Sequence, residues 1–102
     1  MVTPEAKVLK ACTTWLKTLR DSGVPVWWVK HHGSQYAKAG VPDLHITYFG
    51  RSIWVELKSA VGKPTELQLH TLDQIAKAGA TVGIVRSVDE LKTLLEECQP
   101  LS

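Results

Sequence analysis

The sequence predicts an α/β domain: a mixed sheet with helices packed against it. Three observations predict it. Apolar residues recur at helical spacing in three segments. Four short segments are rich in β-branched and aromatic residues. A strand–helix–strand run from Ser52 to Arg86 then calls for a right-handed crossover, which makes its two strands parallel.

The elements follow in order. Thr3 and Pro4 read as a helix N-cap and first helical residue. Val8, Cys12, Trp15, Leu16 and Leu19 form the apolar stripe behind them, and Gly23 ends the helix. Val24 to Lys30 reads as a strand, and His31 to Pro42 as a loop. Asp43 to Phe49 and Ser52 to Lys58 read as an antiparallel hairpin turning at Gly50-Arg51. In its second strand Ile53, Val55 and Leu57 point one way, and Trp54, Glu56 and Lys58 the other. Thr65 and Gln68 form a capping-box pattern. Leu69, Leu72, Ile75 and Ala76 form the stripe of that helix, and Gly79 closes it. Thr81 to Arg86 is a short strand. Ser87 and Glu90 make a second capping-box pattern before Leu91, Leu94 and Leu95. The order is α-β-β-β-α-β-α.

Composition narrows the class. The chain has 102 residues, enough for one core, so residues 1–102 read as a single domain. Hydrophobic residues make up 44% and charged residues 22%, which sets disorder aside as the default. Glu5 and Lys7 interrupt any signal-peptide stretch, and no apolar run has the length of a membrane span. Cys12 and Cys98 have no metal-ligand spacing and read as reduced thiols. The expectation is a soluble, cytoplasmic protein with no membrane partner. A net charge of +2 permits a polyanionic partner without arguing for one.

The chemistry gathers on the hairpin. Asp43 follows Pro42 and opens one strand, while Glu56 and Lys58 share a face of the next. Adjacent strands lie about 4.8 Å apart and alternate residues about 6.7 Å apart, so the three charged heads can converge. Phosphodiester hydrolysis uses such a set. A hard cation, held by carboxylates and a main-chain oxygen such as that of Leu57, neutralises developing charge and acidifies a water. An ammonium such as that of Lys58 meets the anionic transition state.

The strings GVPDLHITYFG and IWVELKS resemble the P-D…E-x-K signature of the PD-(D/E)XK nuclease superfamily. More narrowly, the chain resembles the virus-type replication-repair nuclease family, VRR-NUC, over nearly its whole length. The resemblance rests on Glu5 in the first helix and Gly40, Pro42 and Asp43 before and at the first hairpin strand. It continues through Glu56, Lys58 and Ser59, then Gly62, Lys63 and Thr65, Gln68, and Gly79-Ala80. Val29-Lys30-His31-His32 departs from the family, whose members often carry arginine and asparagine there.

The resemblance implies a restriction-endonuclease-like αβββαβ core. It implies Mg²⁺ or Mn²⁺ at Asp43 and Glu56, with Glu5 and the Leu57 main-chain oxygen as further ligands. Lys58 would be the catalytic lysine, and Gln68 would position it or a water. Lys30, Tyr36, Lys38 and Lys63 are candidates for DNA contact. The expected activity is DNA phosphodiester hydrolysis on branched or four-way-junction DNA during replication, repair or recombination. A homodimer would suit a two-fold substrate, and no small-molecule cofactor is implied.

Each residue also has a plainer reading. Asp43 after proline is ordinary turn chemistry, and Glu56 with Lys58 is an ordinary solvent-facing pair. Glu5 suits a helix N-terminus, and Gln68 suits a capping box. Lys63 is an ordinary solvated loop lysine. Zinc at His31 and His32 is disfavoured, because neighbouring strand residues point apart and no third ligand has metal spacing. Trp15, Trp27, Trp28 and Trp54 read as core or interface. Two other functions stay open: an inactive DNA- or protein-binding module on this fold, and an RNA nuclease.

Overall fold

The computed structural model describes residues 2–31 and 39–98. Helix α1 spans Pro4–Asp21, with Thr3 capping it through Oγ1, which accepts from the Ala6 N–H at 3.1 Å. Strand β1 (Val26–Lys30) follows, then β2 (Leu44–Tyr48) and β3 (Arg51–Leu57). Helix α2 (Glu66–Lys77), strand β4 (Thr81–Val85) and helix α3 (Val88–Glu97) complete the order. The element sequence is the one expected.

The sheet runs β1-β2-β3-β4, with β1, β2 and β3 antiparallel and β3-β4 parallel. The parallel pair is joined by α2, as a crossover requires. Strict alternation sorts the side chains. Leu44, Ile46 and Tyr48, with Ile53, Val55 and Leu57, are buried on one face. Cys12 and Leu16 of α1 and Leu91 and Leu95 of α3 pack on that face to form the core. Asp43, His45, Trp54 and Glu56 therefore fall on the opposite face, the side of α2.

Both cysteines are free thiols inside the core, and burial pushes Cys12 up to about 11. No helix among the described residues is long and apolar enough to cross a membrane.

Several details differ from the sequence reading. The hairpin turns at Phe49-Gly50, one residue earlier than expected, because Tyr48 pairs with Arg51. Both turn residues have positive φ, 49° and 78°, which matches the twist of a two-residue hairpin. Phe49 keeps that uncommon conformation while its ring meets Tyr48 edge-on, with centroids 4.7 Å apart. The stripe of α2 is also narrower. Leu72 is buried, but Leu69 is 48% exposed and Ala76 is exposed too. The second capping box is half made. Ser87 Oγ accepts from the Glu90 N–H, but the Glu90 carboxylate accepts from the Arg86 N–H at 2.8 Å. Trp27 is 62% exposed on the edge strand and is no part of the core.

One close approach ties α2 to the chain that leads into Asp43. Gly40 has φ +86°, and a Cβ there would lie 2.7 Å from Leu67 Cγ and 3.0 Å from Thr71 Oγ1. Gly40→Ala combines left-handed strain with overpacking and should cost about 2–4 kcal/mol. Urea unfolding of the variant against the parent checks this.

Candidate metal centre

Three elements deliver three acids to one place. Glu5 stands in the first turn of α1, Asp43 just before β2, and Glu56 near the end of β3. One carboxylate oxygen from each lies within 4.8 Å of the other two. The hairpin register explains the meeting of the last two. Leu44 pairs with Val55, so Asp43 falls beside Glu56 and Leu57. The Leu57 N–H donates to Asp43 Oδ2 at 2.9 Å, which fixes that carboxylate. The Leu57 carbonyl leaves the strand on the same side as its N–H, toward Asp43.

Lys58 follows at once. Its Nζ lies 3.9 Å from Glu5 Oε1, and its side chain is only 11% exposed. The expected trio of Asp43, Glu56 and Lys58 is thus assembled, with Glu5 beside it.

Glu56 is 1% exposed, and its Oε2 has no hydrogen-bond partner among the described residues. Its carboxyl is pushed up to about 9. Burial is the main cause, followed by the hydrogen bond and the charge of Asp43; Lys58 opposes the shift and Glu5 adds to it. A buried carboxylate among carboxylates needs a proton or a cation. An orphaned buried oxygen within a three-oxygen cluster fits a hard divalent cation, which takes carboxylate and carbonyl ligands. Asp43, Glu56, Glu5 and the Leu57 carbonyl are the ligands on hand.

The surroundings are aromatic. His45, two residues beyond Asp43, stacks on Trp54, two before Glu56, at 4.0 Å and 7°. The His31 ring lies parallel to Trp54 at 5.9 Å, and the His31 backbone N–H donates to the Asp43 carbonyl at 2.7 Å. These rings cover the sheet next to the acids. Among the described residues His31 belongs to no group of three metal-ligating side chains, and His32 lies outside the described residues.

The remaining candidates are dispersed. Gln68 Oε1 accepts from the Thr65 N–H at 2.8 Å, and the Gln68 N–H donates to Thr65 Oγ1 at 3.1 Å. Its side-chain oxygen therefore serves the helix cap. Lys30 is exposed at the end of β1 and pairs in register with Leu44, which puts it on the face opposite Glu56. Lys63 is exposed in the loop before α2. Tyr36 and Lys38 lie outside the described residues. A groove of about 450 Å³ between β4 and α3 is lined by none of these residues.

One contact had no signal in the sequence. Arg86 Nη1 donates to the carbonyls of Ser59 and Gly62, both at 2.6 Å, across the turn after Lys58.

Comparison with solved structures agrees with the fold. A structure described as a VRR_NUC domain superposes with a TM-score of 0.73 and 27% identity, covering 95% of this chain and 99% of the other. A second, described as a VRR_NUC domain protein, gives 0.64 and 21%, covering 93% and 87%. No protein-family model matches the sequence, and no curated protein matches it significantly.

Glu56 sets a pH dependence. Between 4.5, its ordinary value, and about 9, the folded metal-free protein holds a proton that the unfolded chain has lost. Stability of the metal-free protein therefore falls as pH rises through that window, by up to about 1.4 kcal/mol per pH unit. Glu56→Gln should flatten the profile and raise stability at pH 8. Denaturant titrations across pH 5–9 in chelator check both. Mn²⁺ binding near pH 7 should release close to one proton, measurable by calorimetry in buffers of different ionisation enthalpy.

Proposed function

We propose that this chain, which carries the nuclease fold of the VRR_NUC domain, is a Mg²⁺- or Mn²⁺-dependent DNA endonuclease. The observation that supports it best is the buried Glu56 oxygen, without a hydrogen-bond partner among the described residues, inside the Glu5–Asp43–Glu56 cluster, with the Lys58 ammonium alongside. A structural acid this deep would be paired, or replaced by an apolar residue at no cost to the fold.

Roles follow from position. Glu5, Asp43, Glu56 and the Leu57 carbonyl would hold the cation. When bound, it would neutralise charge developing on the scissile phosphate and lower the pKa of a water. The Leu57 N–H keeps Asp43 aimed. Lys58 would donate to the attacking water or to a phosphoryl oxygen, with little solvent to screen its charge. Gln68 can still place its amide N–H₂ while its oxygen caps α2. Lys30, Lys63, Tyr36 and Lys38 are the proposed backbone contacts.

The substrate we favour is branched or four-way-junction DNA, met by a homodimer whose two-fold axis presents two sites. The support is the family resemblance and the small size of the domain.

Labelled duplex, flap, single-stranded and four-way-junction DNAs, incubated with Mg²⁺ or Mn²⁺, test the reading. Cleavage should depend on the metal and favour the junction, and sedimentation should give a dimer. Lys58→Ala should fold normally and lose at least about 10²–10³-fold in kcat. Parental cleavage by that variant would refute the assignment. Asp43→Asn should also lose Mn²⁺ binding by calorimetry.

A further inference from the structure

Arg86 stands beside Lys58 across the parallel pair of strands. Leu57 pairs with Val85, and the Lys58 N–H donates to the Val85 carbonyl at 3.0 Å. The Arg86 side chain reaches over the segment that follows Lys58. One nitrogen, Nη1, donates to both the Ser59 and the Gly62 carbonyls at 2.6 Å. Its backbone N–H is fixed in turn by Glu90 Oε1 at 2.8 Å.

Among the described residues, that segment has few other hydrogen bonds to hold it. Residues 58–65 belong to no helix or strand. Within the turn, the Gly62 N–H reaches Ser59 Oγ at 3.0 Å and the Ser59 carbonyl at 3.3 Å. Val61 at its tip is 88% exposed. Yet the turn forms a wall for the catalytic candidate. A Cβ on Gly62 would lie 3.6 Å from Lys58 Cδ and 3.1 Å from Ser59 Oγ. The methylene stem of Lys58 therefore lies against a turn closed by Arg86.

We infer that Arg86 is a positioning residue for Lys58: by clamping the 59–62 turn, it holds the ammonium over the acid cluster. Arginine suits the task because two N–H bonds of one planar nitrogen diverge at a fixed angle toward two carbonyls. A lysine offers a rotating point charge on a flexible stem. The catalytic consequence rests on the nuclease reading; the structural one does not.

Two experiments decide it. The first is steady-state cleavage over a range of DNA concentrations at saturating metal, with metal affinity measured by titration. Arg86→Met should lower kcat about 10–100-fold, as expected of a misplaced catalytic group, with KM and metal affinity unchanged. Arg86→Lys should recover part of the loss. Gly62→Ala, which leaves Arg86 intact but presses on Ser59 and the Lys58 stem, should show the same kcat-only loss. The Lys58→Ala, Arg86→Met double variant should be no slower than Lys58→Ala alone. An unchanged rate in Arg86→Met, or losses that multiply in the double variant, would overturn the inference.

The second experiment needs no turnover. Selective NMR of the lysine side chains in metal-free protein should show the Lys58 signals displaced in Arg86→Met. The 59–62 amides should exchange faster there. Lys58 signals identical to the parent would overturn the inference. Should the parent cleave no DNA, the nuclease reading falls and this comparison still decides the role of Arg86. Should Arg86→Met not fold, Arg86→Lys and Gly62→Ala carry both experiments.

Discussion

Three carboxylates share one small volume with one ammonium, and the rest of the structure accommodates that imbalance. Glu56 cannot leave it. Ile53, Val55 and Leu57 alternate into the core, so the residues between them must emerge on the other face. There Glu56 is shut away from water beside Asp43 and Glu5. Mutual repulsion and lost hydration both act against its charge, and Lys58 offsets only part of this. The cluster is therefore a sink for positive charge, and either a proton or a cation can fill it.

The fold fixes the geometry of that sink from several sides. The two-residue turn at Phe49-Gly50 sets the β2-β3 register, and the register sets Asp43 beside Leu57. A slip of one residue would send Glu56 into the core and Val55 to the site. The Thr3 cap sets where α1 begins, and so where Glu5 sits. The parallel β3-β4 pair brings Arg86 to the turn beyond Lys58. Each of these is a backbone constraint, and each governs one charged head.

Much of this was legible in the sequence because it depends on period and local chemistry. Alternation in β3 gave the face of Glu56, and Thr3, Thr65 and Ser87 marked three helix starts. What escaped depends on contacts between distant residues. Leu69 has the right helical phase for burial, but no element among the described residues covers it. Glu90 fits a capping box by spacing, yet its carboxylate found the Arg86 N–H. The partners of Arg86 are carbonyls 24 and 27 residues away, and carbonyls leave no mark on the identity of a residue. The hairpin was misplaced by one position because Phe49 is a poor candidate for positive φ, and packing against Tyr48 keeps it there.

The two thiols have a practical side. Cys12 and Cys98 are 0% and 4% exposed, and Cys12 resists ionisation far past neutral pH. Maleimides and other thiol-directed dyes react with accessible thiolate, so the native chain is silent toward them. A single cysteine placed at Val61, the open tip of the turn after Lys58, would be the one reactive position, and a fluorophore attached there would report on that turn without any native residue having to be removed.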